Sequence, residues 1–246
     1  MGDAVLLFSS AEKEPFFNRL TAVRWPSDPA AFDRRLTEAC ELFGALDRKP
    51  YMWVIPGLST PDDMVGRLVA NGFIDQGGGY DMVLTEEPPA RPAELPRGAV
   101  LEHWHALPQD QIPPRALSLA VVIGESFGIP PDRHANLARE IGLTMARPDF
   151  HAYLVSIDGE PVATGERYTF DGASYLSSIG TRPAWRGRGL ARAITQTLAA
   201  DSRAAGVDLV YLAVYAENSG AMRLYRNLGF SVVGPRSADM LQEKPR

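Results

Sequence analysis

Apolar residues recur along the chain with two different periods, and the switches between them set out an order of elements. From Val100 onward, strand and helix patterns alternate. Val100–Trp104 reads as a first strand. Arg115–Phe127 and Asp132–Ala146 read as helices, separated by Gly128-Ile129-Pro130-Pro131, which no helix runs through. Three strands then follow as a meander: Ala152–Ile157, Val162–Phe170 and Ala173–Thr181. Their connections, Asp158-Gly159 and Asp171-Gly172, are hairpin signals, because glycine supplies the positive φ that a tight turn needs. Beyond them Leu190, Ile194 and Leu198 form an apolar stripe at helical spacing, with Gly206 as its stop. Asp208–Val214 is rich in Val, Leu and Tyr and reads as a buried strand. Asn218 and Ser219 can cap a short helix with Ala221, Leu224, Tyr225 and Leu228 on one face; Gly229 ends it, and Phe230 opens another strand. The pattern predicts an α/β (α+β) fold: a mixed, mainly antiparallel sheet with flanking helices and a β-α-β close.

Residues 86–97 interrupt this order. Four prolines in a charged stretch cannot occupy a sheet interior or the middle of a helix, so residues 88–97 read as a linker. A chain of 246 residues then divides into a short domain, 1–87, and a longer one, 98–246. The net charge of −5 argues against nucleic acid as a general partner, since phosphate contacts need clustered Lys and Arg. The single cysteine, Cys40, excludes an internal disulfide and any site built from several thiols. No apolar run approaches the ~18–20 residues that cross a bilayer. The opening MGDAVLLFSSAEKE has neither the basic start nor the apolar length of a signal peptide, so a cytoplasmic location is expected.

The chemistry concentrates in Arg186-Gly187-Arg188-Gly189-Leu190-Ala191, where a strand runs into a helix. The first amides of that helix lack internal partners and sit at the positive end of its dipole, which suits a pyrophosphate. Several readings compete. A dinucleotide fingerprint would require a third glycine where Arg192 stands, and no parallel sheet precedes the turn. A nucleic-acid patch could use Arg182, Arg186, Arg188 and Arg192, against the acidic balance of the chain. A plain glycine turn with solvated arginines is the simplest alternative.

Arg186, Gly189 and Ala191 form an Arg-x-x-Gly-x-Ala pattern that resembles the coenzyme A pyrophosphate loop of the GNAT N-acetyltransferase superfamily. Downstream, Asn218-x-x-Ala221-x-x-Leu224-Tyr225-x-x-Leu228-Gly229-Phe230 is similar to the closing motif of that superfamily. The resemblance covers residues 98 to about 241 and implies acetyl-CoA as cosubstrate, with no metal. It implies that the strand end Ile179-Gly180-Thr181 splays from its parallel neighbour and pairs with the pantetheine arm. Backbone amides of Arg186, Gly187, Arg188, Gly189, Leu190 and Ala191 would hold the pyrophosphate, and Asn218 would contact the coenzyme near the splay. Tyr225 would stand near the thioester sulfur as general acid. A phenol with a pKa near ~10 suits that role, since the departing thiolate needs a proton. The attacking ammonium must lose one, and Glu166, on the strand before the coenzyme strand, is the expected base, with Glu217 as second candidate. The implied acceptor is a primary amine of a small molecule or peptide. A GNAT-fold protein that binds acyl-CoA without transfer, as sensor or interaction module, is the alternative.

Other residues carry less. His103 and His105 flank Trp104 and share a strand face, without a further ligand at a telling spacing for a metal. Glu125 and Phe127 lie in a loop that often shapes the acceptor pocket in GNAT proteins. The first 87 residues contain an echo of the second part: Leu68-Val69-Ala70-Asn71-Gly72-Phe73 is similar to Leu224–Phe230, and Tyr51–Pro56 to the strand before it. Aligning Gly72 with Gly229 puts Leu68 at the tyrosine position, or Val69 if one deletion is allowed. Neither can donate a proton. The first part thus resembles a degenerate GNAT half that binds no coenzyme; an unrelated small α/β module with a helix-ending Gly-Phe is the alternative.

Overall fold

The computed structural model describes residues 2–10, 12–86 and 94–243. In chain order the elements are β1 (Val5–Leu7), β2 (Arg19–Thr21), α1 (Pro29–Ala45), β3 (Tyr51–Val54), α2 (Met64–Ala70), β4 (Phe73–Asp75) and β5 (Gly79–Leu84). Then come β6 (Ala99–Trp104), α3 (Ile112–Phe127), α4 (His134–Met145), β7 (Phe150–Ile157), β8 (Glu160–Phe170) and β9 (Ala173–Thr181). The chain closes with α5 (Leu190–Ala204), β10 (Leu209–Tyr215), α6 (Ser219–Arg226), β11 (Phe230–Val233) and β12 (Ala238–Gln242). Among the described residues no helix is long and apolar enough to cross a membrane. The linker predicted at 88–97 lies largely outside the described residues; from Glu94 the chain leads through the turn at Gly98 into β6.

The strands form two sheets, ordered β1-β2-β3-β12-β4 and β11-β5-β10-β9-β8-β7-β6. Their connectivity does not follow the chain in one cut. β12, from the end of the chain, enters the first sheet between β3 and β4, with Met240 opposite Met52 on one side and Asp75 on the other. β5, from the first part, enters the second sheet between β10 and β11. The compact units accordingly comprise Met1–Asp81 with Val214–Ser219 and Val233–Arg246, and Met82–Ala213 with Gly220–Val232.

In the first unit, Phe32, Leu36 and Phe43 of α1, Met64 and Leu68 of α2, and Met52 of β3 form the core with Ala238 and Met240 of β12. Full burial of a side chain like Met240 contributes roughly 1.5–3 kcal/mol, so β12 is held by its packing as well as its ladder. The echo is structural as well as sequential. Gly72 and Gly229 both take the left-handed conformation (φ 84° and 89°), ending α2 and the helix of Tyr225 before a buried Phe73 and a buried Phe230. Leu68 is buried in α2 as Tyr225 is in α6, as the ungapped alignment has it.

The first unit also contains a parallel β-α-β segment, β2-α1-β3, whose ladder consists of the pair Leu20↔Met52. Beyond that pair the chain itself fills the gap. The Trp25 amide donates to the Thr60 carbonyl (3.0 Å), and the Thr60 amide donates to the Val23 carbonyl (2.9 Å). The Ser59 hydroxyl accepts from the Ile55 amide at 3.0 Å. At the start of α1 the Asp28 carboxylate caps the Ala31 amide (2.8 Å), and Pro29 follows directly.

In the second unit, β7, β8 and β9 form the predicted meander. Its hairpins turn at Asp158-Gly159 and Asp171-Gly172, all four residues with positive φ. One face packs under α3 and α4 through Leu119, Ile123, Phe150 and Leu154. The other lies under α5, where an added Cβ on Gly165 would come 2.5 Å from Ile194 and 2.9 Å from Leu198. That close approach is what glycine provides in the middle of β8. α3 starts earlier than its apolar pattern suggested, at Ile112, since prolines fit the first helical turn. α4 starts later, after a 3₁₀ turn at Pro131–Arg133.

Candidate active site

The site is built on an irregularity in β9. Its register with β8 shifts between Thr164 and Glu166, and Ser178 takes a left-handed φ of 49°, which serine adopts only when its surroundings impose it. The bulge turns two hydroxyls onto one carboxylate: Ser178 Oγ donates to Glu166 Oε2 at 2.7 Å and Ser177 Oγ at 3.2 Å. Glu166 is only 5% exposed. Burial raises its pKa above the usual carboxylate range, while the two serine hydroxyls pull it back. Neither serine was singled out from the sequence, because a bulge at a non-glycine residue leaves no local signal.

β9 then parts from β10. Their parallel ladder runs from Ala173↔Leu209 to Leu176↔Leu212, while β9 continues to Thr181. Ile179 and Thr181 are partly exposed. Gly180 is buried: an added Cβ would meet Ser126 at 2.8 Å and Phe127 at 3.2 Å, so the end of α3 lies directly on the strand end. The connection to α5 is exposed at Gly187, Arg188 and Gly189; both glycines are left-handed (φ 77° and 79°), with open space where a side chain would stand. Gly189 caps α5 with no side-chain acceptor. The first helical bond runs from the Ala193 amide to the Gly189 carbonyl (3.0 Å), so the amides of 187–192 have no partner among the described residues. The Arg186 amide differs, being engaged by the Pro183 carbonyl at 3.3 Å. Its guanidinium donates to the carbonyls of Thr181 (3.1 Å) and Ser126 (2.9 Å), bracing the turn against β9 and α3. Arg188 lies over the Trp185 ring at 4.5 Å. Leu190 is buried under the helix, and Ala191 is partly exposed.

Tyr225, near the end of α6, is 6% exposed, and its hydroxyl makes no hydrogen bond among the described residues. Burial first, then the neighbouring Tyr175, push its pKa up to about 12. At neutral pH it is a protonated phenol in a desolvated place. Asn218 and Glu217 are exposed in the turn before α6 and belong by their contacts to the first unit. The Asn218 amide donates to the Tyr215 carbonyl at 3.0 Å.

The profile of the Acetyltransferase (GNAT) family matches residues 120–230. The chain carries a GNAT acetyltransferase domain. A mycothiol acetyltransferase from Nocardiopsis dassonvillei is 38% identical over 36% of the chain and 23% of its own length. The N-alpha-acetyltransferase RimI of Mycobacterium tuberculosis is 43% identical over 25% of the chain and 37% of its own. The matches thus span less than half of either relative. Two solved structures share the fold over most of the chain. A GCN5-related N-acetyltransferase from Kribbella flavida has a TM-score of 0.69 at 21% identity, covering 98% of this chain and 87% of that one. A tandem GNAT protein from the clavulanic acid biosynthesis pathway has a TM-score of 0.67 at 16% identity, covering 90% and 72%. The two sheets are consistent with two GNAT-like halves, the mixed, mainly antiparallel architecture expected from the sequence.

Outside these elements the GNAT domain has a second polar cluster, on the α5 face. His103 and His105 do share a face, and His151 of β7 joins them; the rings of His105 and His151 stack 4.0 Å apart. His103 Nε2 and His151 Nδ1 are 2.9 Å apart, sharing a proton. Burial and the nearby Arg167 lower His151 to about 3, so its ring is neutral at pH 7. Among the described residues no group of three His, Cys, Asp or Glu could hold a metal ion. Glu125 pairs with Arg182 (2.7 Å) at the end of α3, and Phe127 is exposed beside Gly180. Cys40 lies in α1, its thiol pKa raised by burial.

Proposed function

We propose that the second unit transfers an acetyl group directly from acetyl-CoA to a primary amine of a small molecule or peptide. The observation that carries this reading is the ending of the β9–β10 ladder at Leu176↔Leu212 together with unpartnered amides at 187–192. An extended pantetheine arm would add to the open strand edge, and a pyrophosphate would accept from the helix N-terminus. Arg186 serves this loop as a brace more than as a charge, since its guanidinium is engaged by two carbonyls.

In the reaction the amine lone pair attacks the thioester carbon and the carbon–sulfur bond breaks. Tyr225 gives its phenolic proton to the departing thiolate, and Glu166 takes the proton that the amine must lose. Solvent exchange then resets both side chains. A buried phenol holds its proton until the sulfur develops charge, and a carboxyl raised by burial is a better base than a solvated one. Cys40 lies outside the second unit, which supports direct transfer without an acyl-enzyme.

The test is thiol release from acetyl-CoA with a panel of amines, beside acetyl-CoA-induced thermal stabilisation. Turnover supports transfer; stabilisation without turnover for any amine would make this a binding protein. The pH profile tests the base. Because the pKa of Glu166 is raised, kcat/KM falls on the acid side above the ordinary range of a glutamate. Glu166→Gln is expected to lower kcat/KM about 10–100-fold and leave only the limb set by the acceptor amine. An unchanged acid limb in Glu166→Gln would assign the base elsewhere, with Glu217 next to be examined.

We also propose that the first unit is a degenerate half that binds no coenzyme. Its equivalent of the opening between β9 and β10 is occupied by Ser59-Thr60, hydrogen-bonded to Val23 and Trp25. Its equivalent of the pyrophosphate turn is capped by the Asp28 carboxylate, which would repel a phosphate. Leu68 stands in place of the acid. Calorimetric titration is expected to give one acetyl-CoA per chain; two would refute this.

A further inference from the structure

Beside Glu166 the sheet face carries a row of aromatic rings. Register sets Phe150 opposite Tyr168, Tyr168 opposite Tyr175, and Tyr175 beside Tyr211, one ring on each of β7, β8, β9 and β10. Successive ring centroids are 5.0, 6.4 and 5.1 Å apart. Phe150 is buried in the α3–α4 core, but the three tyrosines are each partly exposed. The adjacent row on the same face is Ala152, Glu166 and Ser177. Tyr168 stands two residues along β8 from Glu166 on the same face, and Tyr175 lies near enough to Tyr225 for their ionisations to oppose each other, so the tyrosines extend from the expected base to the expected acid.

The charge inventory of this floor is selective. Glu166 is the one carboxylate in the two rows, and the Arg147–Asp149 pair near Tyr168 neutralises itself at 2.6 Å. A polycation would lose the hydration of several ammonium groups and gain a single counter-charge, an unfavourable exchange. A flat aromatic body would pack on tyrosine rings in offset or edge-on contacts, and one ammonium would be attracted to their faces. Resting on the acetyl-transfer reading above, we propose that the acceptor is a primary amine with one positive charge on an aromatic body. It lies across Tyr168, Tyr175 and Tyr211 with its nitrogen toward Glu166.

The experiment compares phenethylamine and tyramine with spermidine and an alanyl tripeptide, using the full chain. Thiol release is expected to give the aromatic amines a kcat/KM at least about tenfold above spermidine and the peptide. Tyr211→Ala and Tyr175→Ala are each expected to raise KM for phenethylamine about tenfold, with kcat and the KM for acetyl-CoA little changed. Tyr211→Phe keeps the ring and should restore the wild-type KM, which separates a lost contact from a misfolded variant. Preference for spermidine or the peptide would overturn the aromatic acceptor while leaving acetyl transfer intact. Alanine variants that lower kcat at constant KM would also overturn it. Saturation-transfer NMR of the same amines with the coenzyme A-saturated chain reads the preference without turnover. Phenethylamine binding without thiol release would uphold the aromatic site and refute transfer; no preference for phenethylamine in either measurement refutes the site.

Discussion

Tyr225→Phe is expected to lower kcat for acetyl transfer by at least about 10²-fold, roughly 2.7 kcal/mol or more of transition-state stabilisation. The substitution removes one oxygen and nothing else. The ring is buried and packs near Phe230, with centroids 6.1 Å apart, and phenylalanine keeps that contact. Since the hydroxyl has no partner among the described residues, its loss leaves no orphaned donor or acceptor behind. Melting temperature and acetyl-CoA affinity should therefore match those of the unsubstituted chain, and the deficit should fall on kcat. Steady-state thiol release beside a thermal-shift titration measures all three. Wild-type kcat in Tyr225→Phe would remove the phenol from the chemistry and leave another group to protonate the thiolate.

Gly189→Glu should abolish acetyl-CoA binding, with affinity falling by at least about 10²-fold. Two physical effects act together. At φ 79° the position strains a glutamate, and a carboxylate at the first turn of α5 would occupy the positive end of the helix dipole. The space beside Gly189 is open, so the core under α5 has no reason to fail. Gly189→Asn separates the effects: asparagine tolerates the left-handed conformation and brings no charge, and should keep most of the affinity. An unchanged acetyl-CoA titration for Gly189→Glu would move the pyrophosphate site away from this turn. Loss of binding in both variants, with unchanged melting curves, would make backbone conformation the deciding factor.

The second unit was largely legible because its signals are local. Asp158-Gly159 and Asp171-Gly172 mark their hairpins in two residues each, and the Leu190, Ile194, Leu198 stripe defines the buried face of α5. What escaped the sequence depends on partners distant in the chain. Gly79–Leu84 ends in the apolar run Met82-Val83-Leu84, yet nothing local says that it pairs in the second sheet. Ala238–Gln242 is short and carries no clear alternation, so β12 and its place in the first sheet were not read. The setting of Glu166 depends on a bulge at Ser178, and serine does not advertise a left-handed φ. Nothing local marks the guanidinium of Arg186 as a brace; only the neighbouring carbonyls of Thr181 and Ser126 reveal that role. The filling of the first unit by Ser59-Thr60 is likewise a matter of backbone pairing that side-chain types do not encode.

The crossing of β5 and β12 is a domain swap carried out within one polypeptide. Between two separate chains such an exchange would make an intact sheet depend on protomer concentration. Here each half meets the other's strand at the effective concentration set by covalent connection, and dilution cannot undo it. Neither half can be excised cleanly: a fragment starting at residue 98 lacks the strand between β10 and β11, and one ending before 238 opens the first sheet between β3 and β4. The first part of the chain is in this way indispensable to the second sheet, as the donor of one of its interior strands.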